Sequence, residues 1–332
     1  HLLRECQDSG AERVAMEVSS HALDQHRIDG THFAVVGFTN LTRDHLDYHG
    51  DEDAYFDAKA RLFHPRFAST AVINMDDPRG PKLADLATDQ GLVVWGFGSD
   101  RAPRRRTEHS IEIVSIDLGP HGFTAQLRVD TDPVELCSTL LGNFNVENAT
   151  LALGMALAVG DPISTVLEGL RAPRLVPGRM QAIPARDRVA IVDYAHTPDA
   201  LERVLRTARE LGARVLVVFG CGGDRDRGKR PLMGAIAVDN ADVVVVTSDN
   251  PRSEDPQAIV SEILEGLDRT QVTVQLDRAE AIRTAVEGSQ PGDVIVIAGK
   301  GHEATQTIGD DVRVFDDAEV LKAAIQECGL AP

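Results

Sequence analysis

From residue 189 to the end, the chain repeats one unit: a short run rich in valine and isoleucine, then a longer stretch with apolar residues at helical spacing. The short runs are residues 189–192, 214–219, 242–247, 272–276 and 293–298. Apolar runs this short are strands covered on both faces. The intervening helices are expected over residues 198–211, 231–240, 256–267, 278–287 and 318–328. Strand–helix alternation implies parallel strands joined by helical crossovers, the doubly wound α/β arrangement. In such sheets ligands gather where the strands end at their carboxyl termini.

The front half reads differently. Strands are expected at residues 13–18, 33–38 and 71–74, with a helix over residues 52–63 carrying Ala54, Tyr55, Ala58, Leu62 and Phe63 at helical spacing. Residues 92–139 turn to alternation, as in Ile111-Glu112-Ile113, which reads as an antiparallel patch of hairpins. A helix rich in Ala and Leu follows at residues 146–159. Around residues 171–179 two prolines and a glycine interrupt all periodicity and mark a linker. The expected division is a partial central domain over 1–174 and a Rossmann-like domain over 175–332. The first residue is His1, and the start looks like the interior of an amphipathic helix, so the chain is expected to begin mid-domain.

The 332 residues suffice for two cores, and 42% apolar content argues against disorder. Lys and Arg total 34 against 52 Asp and Glu, a net charge of -18. Such a surface repels nucleic acid and anionic membranes, but it does not prevent local basic clusters from binding a small anion. Cys6, Cys137, Cys221 and Cys328 form no CxxC pair and read as reduced thiols of a cytoplasmic protein. No apolar run reaches membrane-spanning length and no signal segment is evident.

Two groups of polar residues stand at expected strand ends. In residues 38–50, Asp44, His45, Asp47 and His49 crowd within six positions after an apolar run. Glu17 ends the run before it. Carboxylates with one histidine suit Mg²⁺ or Mn²⁺. A zinc reading of His45 and His49 lacks a cysteine pair. Lys59, between apolar neighbours, reads as a snorkelling surface lysine, the usual case for a lone lysine, or as a partly buried amine with altered reactivity, and the sequence alone does not decide between them. In the back half, residues 223–230 nearly match the phosphate-loop pattern GxxxxGK[ST]. Arg230 stands where a hydroxyl should hold Mg²⁺, and Asp224 and Asp226 would face the phosphates, so that reading is rejected. Three arginines and a lysine in one loop still suit a carboxylate or phosphate. Asp249, Asn250, Pro251 and Arg252 end one strand, and Gly299 to Glu303 end another. Cations such as Arg225 and Arg252 beside anions such as Asp249 and Glu303 match a zwitterion with two carboxylates and two amines.

Taken together, these motifs resemble the Mur ligase family. The matching residues are 17–23, 38–50, 55–59, 142–148, 176–180, 192–198, the loop 220–231, the Asp249-Asn250-Pro251-Arg252 tetrad and 299–303, in the family's order across nearly the whole chain. The resemblance is closest to the member that adds the third amino acid of the peptidoglycan peptide. It implies a central ATPase-type domain followed by a Rossmann-like domain, and an ATP-dependent amide ligase acting through an acyl phosphate. It implies Mg²⁺, held by Glu17, His45 and a carbamylated Lys59, with His45 and Lys59 at the catalytic centre. Ser19, Gln25 and Arg27 would contact the nucleotide peptide UDP-MurNAc-L-Ala-D-Glu. Asn145, Asn148, Arg179, Asp193 and His196 would lie near ATP. Arg225, Asp249, Asn250, Pro251, Arg252, Gly299 and Glu303 would grip the incoming amino acid, and the Arg252 form of the tetrad goes with meso-diaminopimelate. A guanidinium can take the distal carboxylate that lysine lacks; leaving it unpartnered costs on the order of 1–3 kcal/mol. The family's GTxGKT-type loop and uridine-binding domain have no counterpart in this sequence, so the chain by itself is expected to be inactive or nearly so. The alternatives are a sibling amide ligase, either lysine-adding or folylpolyglutamate synthase-like, and a non-catalytic binding fragment. A monomer is expected, with no nucleic acid or membrane partner.

Overall fold

A computed structural model describes residues 2–41, 46–99, 107–173 and 176–332. It divides into two compact units. The first comprises His1–Ser115, Gln126–Val134 and Glu147–Leu167; the second comprises Ile116–Ala125, Glu135–Val146 and Glu168–Pro332.

The first sheet holds β1 (Val36–Phe38), β2 (Thr70–Asn74), β3 (Val93–Ser99), β4 (His109–Gly119), β5 (Gly122–Val129) and β6 (Asp132–Ser138), in that spatial order. β1 to β4 run parallel. The helix Glu52–Ala60 starts where Asp51 accepts a hydrogen bond from the Ala54 amide at 2.8 Å. It buries Phe56 against Ala71 and Ile73 of β2. The helix Gly80–Asp89, with Pro81 in its first turn and Leu83, Ala84 and Ala87 buried, carries the chain back so that β3 starts at the same end as β2. Residues 93–99 therefore join the parallel part, contrary to the antiparallel reading from residue 92. The hairpin pattern begins only at β4. Two-residue links then permit only antiparallel neighbours, and β5 buries Phe123, Ala125 and Leu127 in alternation.

Two strand expectations fail here. Residues 13–18 have strand-like alternation but no ladder partner among the described residues, and Val14 and Met16 are 47% and 46% exposed. The run 33–38 shortens to β1, with Phe33 making one isolated bridge to Ala68.

The second sheet contains β7 (Gln181–Ile183), β8 (Val189–Asp193), β9 (Arg214–Phe219), β10 (Val243–Val246), β11 (Val272–Val274) and β12 (Asp293–Ala298). Their order is β11-β10-β9-β12-β8-β7, parallel except for β7, which lies antiparallel to β8. Alternate side chains face opposite layers. Val217, Phe219 and Val296 pack with Leu201, Leu205, Met233 and Ile259 on one face; Val218, Ile295 and Ile297 pack with Ile282, Leu321 and Ile325 on the other. β9 leads to β10 on one side while β12 lies on its other side. The carboxyl ends of β9 and β12 thus bracket the crevice that such a strand order opens. β13 (Thr305–Ile308) and β14 (Asp311–Val314) form a separate hairpin. The sequence reading missed it, although Gly309-Asp310 between two alternating runs is a hairpin signal.

Arg278 locks this architecture from inside. Its guanidinium makes a two-pronged pair with Asp317, both contacts 2.7 Å and both side chains fully buried, and donates to the Ala298 carbonyl at 3.0 Å. Arg278→Ala leaves Asp317 as an uncompensated buried charge, so we expect a loss of about 3–5 kcal/mol in urea unfolding. A loss below about 1 kcal/mol would show that the pair does not hold the strand ends.

Candidate functional site

Three loops meet at the carboxyl ends of β9, β10 and β12. After β9 the chain turns through Gly220, Cys221, Gly222 and Gly223; after β10 it runs through Asp249, Asn250, Pro251 and Arg252; after β12 it runs from Gly299 to Glu303. The Gly223 amide donates to the Asn250 carbonyl at 2.9 Å. A Cβ on Gly222 would lie 2.9 Å from Arg252 Nη1 and 3.8 Å from Arg225 Cγ, so both arginines border the space that this glycine leaves open. A Cβ on Gly299 would lie 2.8 Å from Asp249 Oδ2. The structure thus brings Arg225, Asp249, Asn250, Pro251, Arg252, Gly299 and Glu303 into one place.

Arg252 is set by its backbone as well as its side chain. Its φ is +52°, left-handed, which is uncommon for a non-glycine residue. The β13–β14 hairpin holds it there: the Arg252 amide donates to the Thr307 carbonyl at 3.0 Å, and its carbonyl accepts from the Gly309 amide at 2.6 Å. One guanidinium nitrogen donates to the Gly223 carbonyl at 2.8 Å.

Two cations whose burial the sequence alone does not show, Lys300 and Arg230, support these loops; Arg230, counted in the sequence among the loop's ligand-binding arginines, is instead turned inward. Lys300 is fully buried and donates to Asn250 Oδ1 at 3.3 Å, Glu303 Oε2 at 3.2 Å and the Thr305 carbonyl at 2.6 Å. Gln306 donates to the Asp249 carbonyl at 2.8 Å. Arg230, also fully buried, binds Glu254 and Glu262 at 2.8 Å and the Gly222 carbonyl at 3.2 Å. For Lys300 the available signal was position, two residues after an apolar strand, where a charge must be paired inside the fold; Arg230, in the first turn of the helix Lys229–Asn240, gave no such signal. Burial pushes the Cys221 thiol up to about 12, so it is an inert packing group beneath the loop.

A second cluster lies at the end of β8. Asp193 is 7% exposed; burial raises its pKa, opposed by the Met180 and Ala195 amides, which donate to it at 2.7 and 2.8 Å, and by Arg179. Arg179 lies over the Tyr194 ring at 5.2 Å, and His196 contacts the same ring at 4.5 Å. Asn145 and Asn148 stand one turn apart on the helix Asn143–Ala158. The structure gathers Arg179, Asp193 and His196.

In the first unit a cleft of about 300 Å³ beside β1 is lined by Glu17, Gly37, Thr39, Asn40 and Lys59, among others. Glu17 and Lys59 therefore share one concavity. Asp44 and His45 lie outside the described residues. Among the described residues no group of three His, Cys, Asp or Glu side chains is arranged to hold a metal. Lys59 is half-buried, its Nζ 5.3 Å from the Tyr55 ring centroid, and Tyr55 stacks on His49 at 5.2 Å. Ser19 caps the short helix Ser20–Asp24, accepting from the Ala22 amide at 3.1 Å. Gln25 ends that helix and donates to the Tyr48 hydroxyl at 3.4 Å, while Arg27 is exposed.

The fold and the pocket point to one class, and sequence comparison agrees. Residues 1–156 match the Mur ligase middle domain and residues 178–301 match the Mur ligase glutamate ligase domain. The chain belongs to the Mur ligase family. It is 46% identical over 327 residues to the UDP-N-acetylmuramoyl-L-alanyl-D-glutamate–2,6-diaminopimelate ligase of Thermosynechococcus vestitus, covering 96% of this chain and 64% of that protein. It is 45% identical over 331 residues to the enzyme of the same name from Xylella fastidiosa, covering 97% and 65%. A solved structure under that name superposes with a TM-score of 0.72 at 40% identity, over 98% of this chain and 66% of the other. The chain thus spans slightly less than two thirds of these relatives' length. Among the described residues no helix is long and apolar enough to cross a membrane.

The Arg230 clamp gives the site an acid limit. Glu254 is held down to about 2, first by the hydrogen bond from Arg230 and then by the Asp224 amide. Its contribution to stability is complete above the ordinary carboxylate value of 4.5 and is lost as pH falls toward about 2. The difference in urea midpoint between the native chain and Glu254→Gln should therefore be constant from pH 8 to about 5 and shrink below about 4.5. Parallel curves down to about pH 3 would show that Glu254 is not clamped.

Proposed function

We propose that this chain carries the metal-side cleft and the amino-acid pocket of an ATP-dependent amide ligase that joins meso-diaminopimelate to UDP-MurNAc-L-Ala-D-Glu during peptidoglycan synthesis. The observation that carries the reading is that Arg252 Nη1, the Arg225 stem and the Asn250 carbonyl border the gap above Gly222, while the Asn250 side chain is hydrogen-bonded to Glu303. A ligand with two carboxylates and two ammonium groups satisfies both signs of charge there; a simple anion or cation satisfies only one. The relatives' name specifies the same amino acid.

The reaction divides into two displacements. The D-glutamyl carboxylate attacks the γ-phosphorus of ATP; a P–O bond forms, the bond to ADP breaks, and an acyl phosphate results. The free amine of diaminopimelate then attacks the acyl carbon; the C–N bond forms, phosphate leaves with the C–O electron pair, and the nitrogen loses a proton. Asp249 and Glu303 hold an ammonium of the incoming amino acid, and Arg225 and Arg252 hold its carboxylates. This fixes the attacking amine, the largest contribution a binding pocket makes to a bimolecular step. Arg179, Asp193 and His196, with Asn145 and Asn148, serve ATP. Ser19, Gln25 and Arg27 serve the nucleotide peptide.

The first cleft suits a hard cation: Glu17 supplies an exposed carboxylate, and Lys59 lines the same space. Glu17, His45 and Lys59 would hold Mg²⁺, which when bound neutralises charge on the transferring phosphoryl group. A neutral Lys59 amine adds to carbon dioxide, forming an N–C bond and releasing a proton, and so turns a cation into an anionic oxygen donor. The unpaired thiols of Cys6, Cys137, Cys221 and Cys328 fit a reducing compartment such as the cytoplasm.

Calorimetric titration of the 332-residue chain tests the pocket. We expect meso-diaminopimelate to bind more tightly than L-lysine, and Arg252→Ala to narrow that preference by roughly tenfold or more, the equivalent of one charge-assisted contact. An unchanged preference in the variant would remove Arg252 from specificity. Failure of the native chain to bind either amino acid would overturn the reading of the pocket.

A further inference from the structure

We infer that Lys300 is the positioning residue of the pocket: it aims the Glu303 carboxylate and the Asn250 side chain at the ammonium of the incoming amino acid without touching that ligand itself. The inference rests on the pocket being an amino-acid cradle and adds the group that sets its geometry.

The argument begins with the hydrogens. A lysine ammonium has three donors and no acceptor. Lys300 has three acceptors, from three different segments: Asn250 Oδ1 after β10, Glu303 Oε2 after β12, and the Thr305 carbonyl at the start of β13. Its side chain is 0% exposed. No donor is left over for a ligand and no surface faces one, so any effect on binding passes through those partners.

The partners lead to the pocket. Glu303 is 33% exposed, and both of its hydrogen bonds, from Asn250 Nδ2 at 2.7 Å and from Lys300, fall on Oε2. Among the described residues Oε1 takes no hydrogen bond, which makes it the oxygen available to an ammonium. Asn250 Oδ1 also accepts from the Thr307 amide at 2.9 Å, and Thr307 in turn accepts from the Arg252 amide. Lys300 therefore ties together the anion that receives an ammonium and the hairpin that holds Arg252. The charge balance fits as well. A buried cation beside Asn250 and Glu303 fixes the Glu303 carboxylate through Oε2, where otherwise the side chain would be free to swing into solvent.

Three variants separate positioning from mere support of the fold. Lys300→Met keeps length and apolar stem but removes the charge and all three donors. We expect it to weaken meso-diaminopimelate and L-lysine together, each by at least tenfold in calorimetric Kd, because both ligands present an ammonium to Glu303. The ratio between the two ligands should stay near the native value, the opposite of Arg252→Ala. Lys300→Arg, which retains the charge and several donors, should recover part of the loss. Native-like affinity in Lys300→Met overturns the inference. So does a loss confined to diaminopimelate, or the absence of any recovery in a folded Lys300→Arg. Should Lys300→Met fail to fold, Glu303→Gln is read instead, and affinity within twofold of native in that variant overturns the inference. A ligand-free readout keeps the inference apart from the function proposed above. In ¹H–¹⁵N spectra the Asn250 side-chain amide should lose its distinct, slowly exchanging signal in Lys300→Met. That change with no diaminopimelate binding by the native chain would sink the proposed substrate alone; an unchanged signal would sink the positioning role.

Discussion

Three fully buried cations, Arg230, Arg278 and Lys300, hold the carboxyl ends of β9, β10 and β12 together, and the pocket exists because they do. After their first residues these strands are apolar and buried, so at their carboxyl ends they offer the loops no polar side chain as an anchor. Each cation supplies one. Arg278 reaches the Ala298 carbonyl at the end of β12, Arg230 reaches the Gly222 carbonyl after β9, and Lys300 joins the β10 and β12 loops to the hairpin. Burying a charge costs several kcal/mol unless it is paired and hydrogen-bonded, and all three are paired. The cost is not wholly removed: Arg230 Nε is buried with no hydrogen-bond partner. Apolar residues in these positions would give a sheet of comparable stability with loops free to choose among conformations. The charges specify one conformation.

Net charge and local charge oppose each other in this molecule. At -18 the chain repels anions at long range. The pocket nevertheless collects Arg225 and Arg252 against Asp249 and Glu303, with the buried Lys300 paired to Glu303. Mixed signs in one small space discriminate against simple anions and simple cations alike. A zwitterion replaces the water lost from both kinds of group, which is the physical basis for proposing an amino acid rather than ATP or a free phosphate as the ligand here.

The second unit was legible because its physics is local. Residues 214–219, 293–298, 198–211 and 278–287 carry their periodicity openly, and the structure reproduces those four boundaries. Arg225, Arg252 and Glu303 were legible as strand-end charges once the parallel sheet was inferred. Lys300 and Arg230 were not, because burial of a lysine or arginine depends on partners distant in sequence. Glu303 is three residues from Lys300, but Asn250 is fifty away. The first unit was less legible. Residues 13–18 alternate like a strand, yet a strand is defined by a neighbour's hydrogen bonds, which a local pattern cannot supply. Residues 93–99 read as the start of an antiparallel patch because the direction of a strand is set by the helix before it, here Gly80–Asp89 with its early Pro81.

Arg252 shows how far the pocket is organised before any ligand arrives. A non-glycine residue at φ +52° carries strain of about 1–3 kcal/mol and relaxes unless its surroundings fix it. Here both its amide and its carbonyl are held by the hairpin, and one guanidinium nitrogen is held by the Gly223 carbonyl. A relaxed Arg252 would turn its side chain away from the gap above Gly222 and would need to be reordered on binding, at an entropic cost that an arginine feels strongly. The fold bears that cost in advance. The hairpin that secures it displays Val312 and Val314 at 62% and 92% exposure on its outer strand, while its inner strand buries Gln306 against the Asp249 carbonyl. Its outer face contributes little to the core. Its inner face connects Lys300 to Arg252 through Thr305 and Thr307, so an element with little apolar anchoring fixes a pocket residue in a left-handed conformation.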